Sequence, residues 1–221
     1  TRTVSYILNH SDCKVFIVDR QFQKVASEAL SQVDREIVVI DINDIYAGLG
    51  EMSAIGKLEY ESFLLTGDED FDWIRPRDEW QAISLSYTSG TTGNPKGVVY
   101  HHRGSYLMSM GSISAWNMPN RLTYLYTVPM FHCNGWGYPW TLAMLHARVV
   151  LIRNIIVKDI FNLIDRYEVT HFGGAPIVLN MIANAPKEDQ KTLKNKIYVM
   201  TAGAPPPSSI LQKMDNLGFE V

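Results

Sequence analysis

Basic runs are missing from this 221-residue chain. Its 20 lysines and arginines are scattered among 23 acidic residues, for a formal net charge of −3. That balance gives no support for binding nucleic acid or an anionic membrane. Only two cysteines, Cys13 and Cys133, are present. Two are too few for a disulfide framework and fit a reducing compartment. No apolar run approaches bilayer length, and residues 1–8 lack the apolar core of a signal peptide. No transmembrane segment is expected, and the location expected is cytoplasmic, or peroxisomal in a eukaryote. Repeats and low-complexity segments are absent too. His101, His102 and His132 lack zinc-ligand spacing, so no metal ligand is assigned. The chain also lacks an initiator methionine and stops where a new strand begins, so it is expected to be an internal piece of a longer protein.

What is present is an ordinary globular mixture, 46% hydrophobic and 19% charged, with ample material for a core. Residues 14–19 (KVFIVD) and 36–41 (EIVVID) are short β-branched runs of the kind buried in parallel sheets. Helical spacing separates them at 22–33. Residues 43–71 are irregular, with several glycines and an acidic stretch, and read as a surface connection. From residue 79 order returns. Strands are expected at 82–88, 97–100, 122–130, 147–153, 169–173 and 197–201. Helices are expected at 102–116, 158–167, 176–183 and 208–217. This alternation predicts an α/β fold with sheets flanked by helices.

The most informative stretch is Tyr87-Thr88-Ser89-Gly90-Thr91-Thr92-Gly93-Asn94-Pro95-Lys96-Gly97-Val98. Its glycines allow close approach of backbone to a ligand, and its hydroxyls and Lys96 supply donors and a positive charge. Successive amides in such a loop can cradle an anion. A plain surface loop would tolerate almost any order of these residues and would need no lysine. The spacing is not that of a P-loop, which requires Gly-Lys-Ser/Thr; here Lys96 sits between Pro95 and Gly97. The reading is a polyphosphate cradle that does not join a strand to a helix.

Three further segments carry chemistry. Pro129-Met130-Phe131-His132-Cys133-Asn134-Gly135-Trp136 follows a strand, where α/β folds commonly bind ligands. Taken alone, His132 reads as a histidine satisfied within a Met/Trp-rich core, or as a donor to a carboxylate or phosphate oxygen. Cys133 beside it makes no nucleophilic pair, because adjacent side chains seldom face each other. The turn Gly173-Gly174-Ala175-Pro176 joins a strand to a helix, with Pro176 suited to the first helical position. Thr201-Ala202-Gly203-Ala204-Pro205 is a second such junction, small enough for a planar base to lie against it.

The twelve-residue string closely resembles the phosphate-binding signature of the adenylate-forming enzymes: acyl-CoA synthetases, adenylation domains and luciferases. The PMFHCNGW wording is similar to the fatty-acyl and aryl-acyl CoA synthetases, including plant acyl-activating enzymes and bacterial medium-chain ligases. The resemblance implies part of the large N-terminal domain of an acyl-CoA synthetase-like fold. Residues 1–78 would be an accompanying α/β segment and 79–221 the ATP- and acyl-binding segment, with the C-terminal domain absent. It implies that Thr88, Ser89, Gly90, Thr91, Thr92, Gly93 and Lys96 hold ATP phosphates. By the same resemblance Ala202, Gly203, Ala204 and Pro205 border adenine. Trp136, Gly173, Gly174 and Ile177 line the acyl pocket, with Leu179 and Met181 as further wall candidates. His132 faces the reacting carboxylate and takes the catalytic role.

The implied reaction converts a carboxylic acid, expected to be a fatty acid, and ATP to an acyl-adenylate and pyrophosphate, then uses coenzyme A to form acyl-CoA and release AMP. Mg2+ is implied as the phosphate-bridging ion. Its glutamate ligand and the late catalytic lysine would lie beyond Val221, so the isolated chain is expected to have little or no ligase activity. A non-catalytic nucleotide- or acyl-binding module stands as the alternative. So does an adenylation domain feeding a carrier protein, or a luciferase-like oxygenase. Medium-chain fatty acids, aryl acids and 3-methylthiopropionate all stay open as substrates.

Overall fold

The computed structural model describes residues 1–89 and 93–221, which form two compact units, 1–101 and 102–221. The first unit opens with α1 (Arg2–His10), β1 (Val15–Asp19), α2 (Gln23–Leu30) and β2 (Val38–Ile42). β1 and β2 pair in parallel, as their β-branched runs predict. Asp19 caps the single 3-10 turn leading into α2 by accepting the Gln21 amide at 2.9 Å. The irregular connection after β2 holds two short elements that its composition does not announce, β3 (Leu58–Glu59) and α3 (Tyr60–Leu64). They are fixed from β2. The buried Asp41 carboxylate accepts the amides of Ile55 and Gly56 at 2.9 and 3.2 Å, and Arg20 lies 3.7 Å away. With that segment pinned, Leu58 pairs beside Ile40 in a third parallel strand. β4 (Ala82–Thr88) and β5 (Lys96–His101) form an antiparallel hairpin.

The second unit begins with α4 (His102–Ala115) and β6 (Thr123–Tyr126). After it come α5 (Cys133–Trp136), α6 (Tyr138–Met144), β7 (Arg148–Leu151) and α7 (Val157–Tyr167). The unit ends with β8 (His171–Gly173), α8 (Pro176–Ala183), β9 (Ile197–Met200), α9 (Ser208–Asn216) and β10 (Phe219–Glu220). The five strands make one parallel sheet in the order β10-β9-β8-β6-β7. Alternation along β6 assigns its two faces. Leu125 packs with Val150, Phe172, Val199 and Phe219 under α7, α8 and α9. Tyr124 and Tyr126 point the other way, into a cluster with Tyr138, Leu142 and Leu145 of the α6 region. Phe161, Phe172, Leu125 and Leu179 are fully buried; each such side chain stabilises the fold by about 1.5–3 kcal/mol. Strands on this sheet are shorter than their apolar runs suggest, because pairing stops where the chain turns out at the carboxyl edge.

His171, the first residue of β8, is a buried histidine clamped between rings. Trp116 meets it edge-on and Tyr198 stacks on it, both at 5.1 Å, while Nδ1 lies 2.8 Å from Thr170 Oγ1. Burial pushes its pKa from 6.5 down to about 4. The unfolded chain therefore takes up a proton near pH 6.5 that the folded chain refuses until near pH 4. Stability should fall across that window by up to about 3 kcal/mol, with no effect above it. Denaturant unfolding at several pH values, compared between wild type and His171→Phe, isolates this contribution. Parallel curves for the two proteins would show that His171 contributes none of it.

Candidate functional site

The β4–β5 hairpin presents the hydroxyl- and glycine-rich string. Tyr87 pairs with Gly97, and Thr88 pairs with Lys96 on the last rung before the turn. Thr88, Ser89, Gly93 and Lys96 are exposed. Gly90, Thr91 and Thr92 lie outside the described residues. The exclusion of a P-loop agrees with this geometry, since two antiparallel strands flank the loop and no helix follows it directly. Residues 87–98 contain no aspartate or glutamate. Among the described residues no ion pair engages Lys96. The donor set is therefore hydroxyls, amides and one exposed ammonium, which suits phosphate oxygens.

In the second unit the sheet has a topological switch. From β6 the chain moves to β7 on one side, then returns to β8 on the other. In open α/β sheets ligands bind outside the carboxyl ends of the strands at such a point. Residues 127–132 leave β6 there, Gly173 and Gly174 end β8 beside it, and residues 201–205 follow β9. The three segments are stitched together. Thr127 Oγ1 donates to the Gly173 carbonyl, and the Gly174 amide donates to the Met200 carbonyl at 2.9 Å. Thr201 Oγ1 is buried at this edge with no partner among the described residues. Thr127 does not stand out in the sequence, where it is one hydroxyl after an apolar run; Thr201 opens the junction read there but carries no role in that reading.

His132 is exposed, and its backbone carbonyl accepts the Gly135 amide at 2.8 Å. Beyond it the chain enters an unusual turn. Cys133, Asn134, Gly135, Trp136 and Gly137 have φ of 45, 43, 60, 57 and 74°. Only two are glycines, so the other three hold a left-handed conformation against a cost of roughly 1–2 kcal/mol each. The turn is held by Tyr126, whose hydroxyl donates to the Gly135 carbonyl at 3.0 Å. Burial raises the Tyr126 phenol to about 12, so it stays a donor at neutral pH.

This turn brings Trp136 to the end of β8. A Cβ at Gly173 would lie 3.3 Å from the Trp136 ring and 2.8 Å from Tyr124 Oη. Trp136 and Gly173 are thus brought together, and Gly174 follows on the same edge. Ile177 is exposed on the first turn of α8, whereas Leu179 is sealed in the core. Ala202, Gly203, Ala204 and Pro205 are exposed, and nothing lies within 4 Å of a Cβ built on Gly203.

Among the described residues no three His, Cys, Asp or Glu side chains gather as a metal cage, and no helix is long and apolar enough to cross a membrane. The chain matches the family model described as AMP-binding enzyme over residues 1–220. It is 44% identical to an acetate/butyrate–CoA ligase of Arabidopsis thaliana, peroxisomal in its description, over 99% of this chain and 40% of that protein. It is 41% identical to a 2-methylpropanoate–CoA ligase of Humulus lupulus, over 100% and 40% respectively. The chain thus spans about two fifths of the length of the curated relatives it matches. Among solved structures it resembles a luciferase-like enzyme of the mealworm Zophobas morio, with TM-score 0.78 and 20% identity over 98% of this chain and 48% of that one. It also resembles the N-terminal domain of FACL13 from Mycobacterium tuberculosis, with TM-score 0.69 and 19% identity over 99% and 65%. These two share the fold, the N-terminal domain of acyl-CoA synthetase-like proteins. With residues 1–220 matched, the chain belongs to the AMP-binding enzyme family.

Proposed function

We propose that the protein carrying this chain uses ATP to activate a carboxylic acid and passes the acyl group to coenzyme A. The observation that carries the reading is the meeting of three segments, 127–136, 173–176 and 201–205, at one switch point of a parallel sheet. The CoA ligases named among its relatives support the same reaction. In this reading residues 79–221 are the ATP- and acyl-binding segment, and residues 1–78 accompany it.

The first step brings two anions together, so positioning and charge neutralisation matter more than covalent chemistry. Thr88, Ser89, Gly93 and Lys96, with Gly90, Thr91 and Thr92, would hold the β- and γ-phosphates and stabilise the departing pyrophosphate. Magnesium would arrive on the nucleotide and share the phosphate charge. Ala202, Gly203, Ala204 and Pro205 would offer a small, open shelf to adenine. His132 would donate toward the acyl carboxylate from the lip of the β6 edge. Trp136, Gly173, Gly174 and Ile177 would border the acyl group, with the Trp136 ring closing the space above Gly173.

Acetate, butyrate and 2-methylpropanoate, the acids in the names of its relatives, are the first substrates to try. The test is pyrophosphate and AMP release by the intact protein across a panel of acids, with and without coenzyme A. Acid-dependent pyrophosphate release, followed by CoA-dependent AMP release, is the expected result. If no acid stimulates release while ATP still binds, the protein is a non-catalytic nucleotide module. If AMP leaves only when a carrier protein is added, it is an adenylation domain.

A further inference from the structure

We infer that His10, at the end of α1, is a positioning residue for the phosphate hairpin and acts through Tyr87; the inference rests on the nucleotide reading above. Tyr87 opens the hydroxyl-rich string and stands on the rung next to Thr88 and Lys96. Its hydroxyl lies 2.7 Å from His10 Nδ1, with the two rings edge to face at 5.7 Å. On its other side the His10 ring stacks on Tyr6 at 5.2 Å, one turn back along α1. A Cβ at Gly97, the residue opposite Tyr87, would lie 3.8 Å from His10 Cε1, so the imidazole covers both strands of that rung.

The support behind His10 is firm. Ser5 and Leu8 of α1 are buried, Ser5 Oγ donates to Gln32 Oε1 at 3.1 Å, and Thr1 Oγ1 donates to Glu28 at 2.7 Å, so α1 is tied to the α2 region. At the far end of α1 the Arg35 guanidinium donates to the carbonyls of Leu8 and Cys13. The hairpin needs such help. A two-stranded ribbon is marginal by itself, while phosphate donors must stay within roughly half an ångström of their working positions. At the other end of the ribbon Trp80 packs on His101 at 4.7 Å. His10 supplies a tether at Tyr87, one rung from Thr88 and Lys96. Burial, together with the neighbouring Tyr6 phenol, holds the Tyr87 phenol above its usual pKa, so it keeps its O–H.

The side chains involved are only partly covered, so losing this bond should leave the fold intact and loosen the Thr88–Lys96 rung. The test measures steady-state kinetics of the intact protein for His10→Phe, Tyr87→Phe and the double variant, with Lys96→Ala as a control on the nucleotide reading. His10→Phe keeps a ring on Tyr6 but loses the nitrogen, and Tyr87→Phe loses one hydroxyl. Each should raise KM for MgATP about five- to tenfold, the range set by one hydrogen bond. KM for the acid and for coenzyme A should stay within about twofold, and the melting midpoint within about 2 °C. The double variant should be no worse than either single one, because both break the same contact. His10→Asn, which keeps a polar atom near the Nδ1 position, should recover most of the loss. The inference is overturned if KM for MgATP is unchanged in Tyr87→Phe while Lys96→Ala impairs pyrophosphate release. It is overturned equally if all Michaelis constants rise together as the protein loses stability. If Lys96→Ala is also silent, the phosphate reading of the hairpin falls and takes this inference with it.

Discussion

Replacing Gly135 by alanine should destabilise the protein by about 4 kcal/mol, lowering its melting midpoint by roughly 10 °C. Two causes add. Alanine at φ 60° carries a left-handed penalty of about 1–2 kcal/mol. Its Cβ would also stand 2.1 Å from Tyr126 Oη and 3.2 Å from Met130 Cα. Tyr126 is nearly fully buried on a rigid ring, so it can yield only by shifting within the core and abandoning the Gly135 carbonyl. Displacing it and breaking that bond costs about 2–3 kcal/mol. Two neighbours make the comparison sharp. Gly137 is also left-handed, but a Cβ there meets only the flexible end of Met108, so Gly137→Ala should cost about 1–2 kcal/mol. Asn134→Gly relieves strain and should be neutral or stabilising by up to about 1 kcal/mol. In a Tyr126→Phe background the cost of Gly135→Ala should shrink, because the obstructing oxygen is gone. Denaturant unfolding of these variants, with wild type and Tyr126→Phe as the references, checks the order. Equal losses for Gly135→Ala and Gly137→Ala would mean that Tyr126 does not hold this turn.

That turn also marks where the sequence stops being legible. Local rules reach the elements with punctuated ends. β4 runs over 82–88 as its apolar pattern predicts, and α8 starts at Pro176, whose missing amide suits a first helical turn. The strand expected at the chain's end is present as β10. No propensity anticipates Cys133 and Trp136 with positive φ, because that conformation is imposed by Tyr126 and the Gly173 edge rather than by the residues themselves. β3 and α3 escape for a related reason. They depend on a buried carboxylate, Asp41, fifteen residues before Gly56. α1, also missed, does carry Val4, Ile7 and Leu8 at helical spacing, but it is only nine residues long and has no side-chain cap to mark its start. For the candidate site, the order of motifs along the chain was readable, and so were the strand–turn–helix junctions. Their convergence was not, since it depends on β6 lying between β7 and β8, a tertiary fact. Nor could sequence show that His10 touches Tyr87, 77 positions away.

Lys96→Ala should lower kcat/KM for acid-dependent pyrophosphate release by about 10²- to 10³-fold, the loss expected when one preorganised group facing developing charge is removed. Lys96 stands opposite Thr88 at the start of β5, exposed, in a stretch with no carboxylate to neutralise it. An exposed lysine with no ion pair among the described residues contributes little to folding, so the melting midpoint should hardly move. Lys96→Arg should recover only part of the activity, because a broad planar fork does not replace a compact ammonium between Pro95 and Gly97. The two half-reactions separate this role from general damage. In the proposed reaction pyrophosphate has already departed when the thiol attacks, so AMP release from a supplied acyl-adenylate and coenzyme A should be nearly unchanged in Lys96→Ala. A loss shared equally by both half-reactions would instead indicate a disturbed hairpin. A loss below about threefold in the first would take Lys96 out of the phosphate site altogether. An effect confined to the first half-reaction would mean that the hairpin acts on leaving pyrophosphate, while transfer to the thiol relies on other groups.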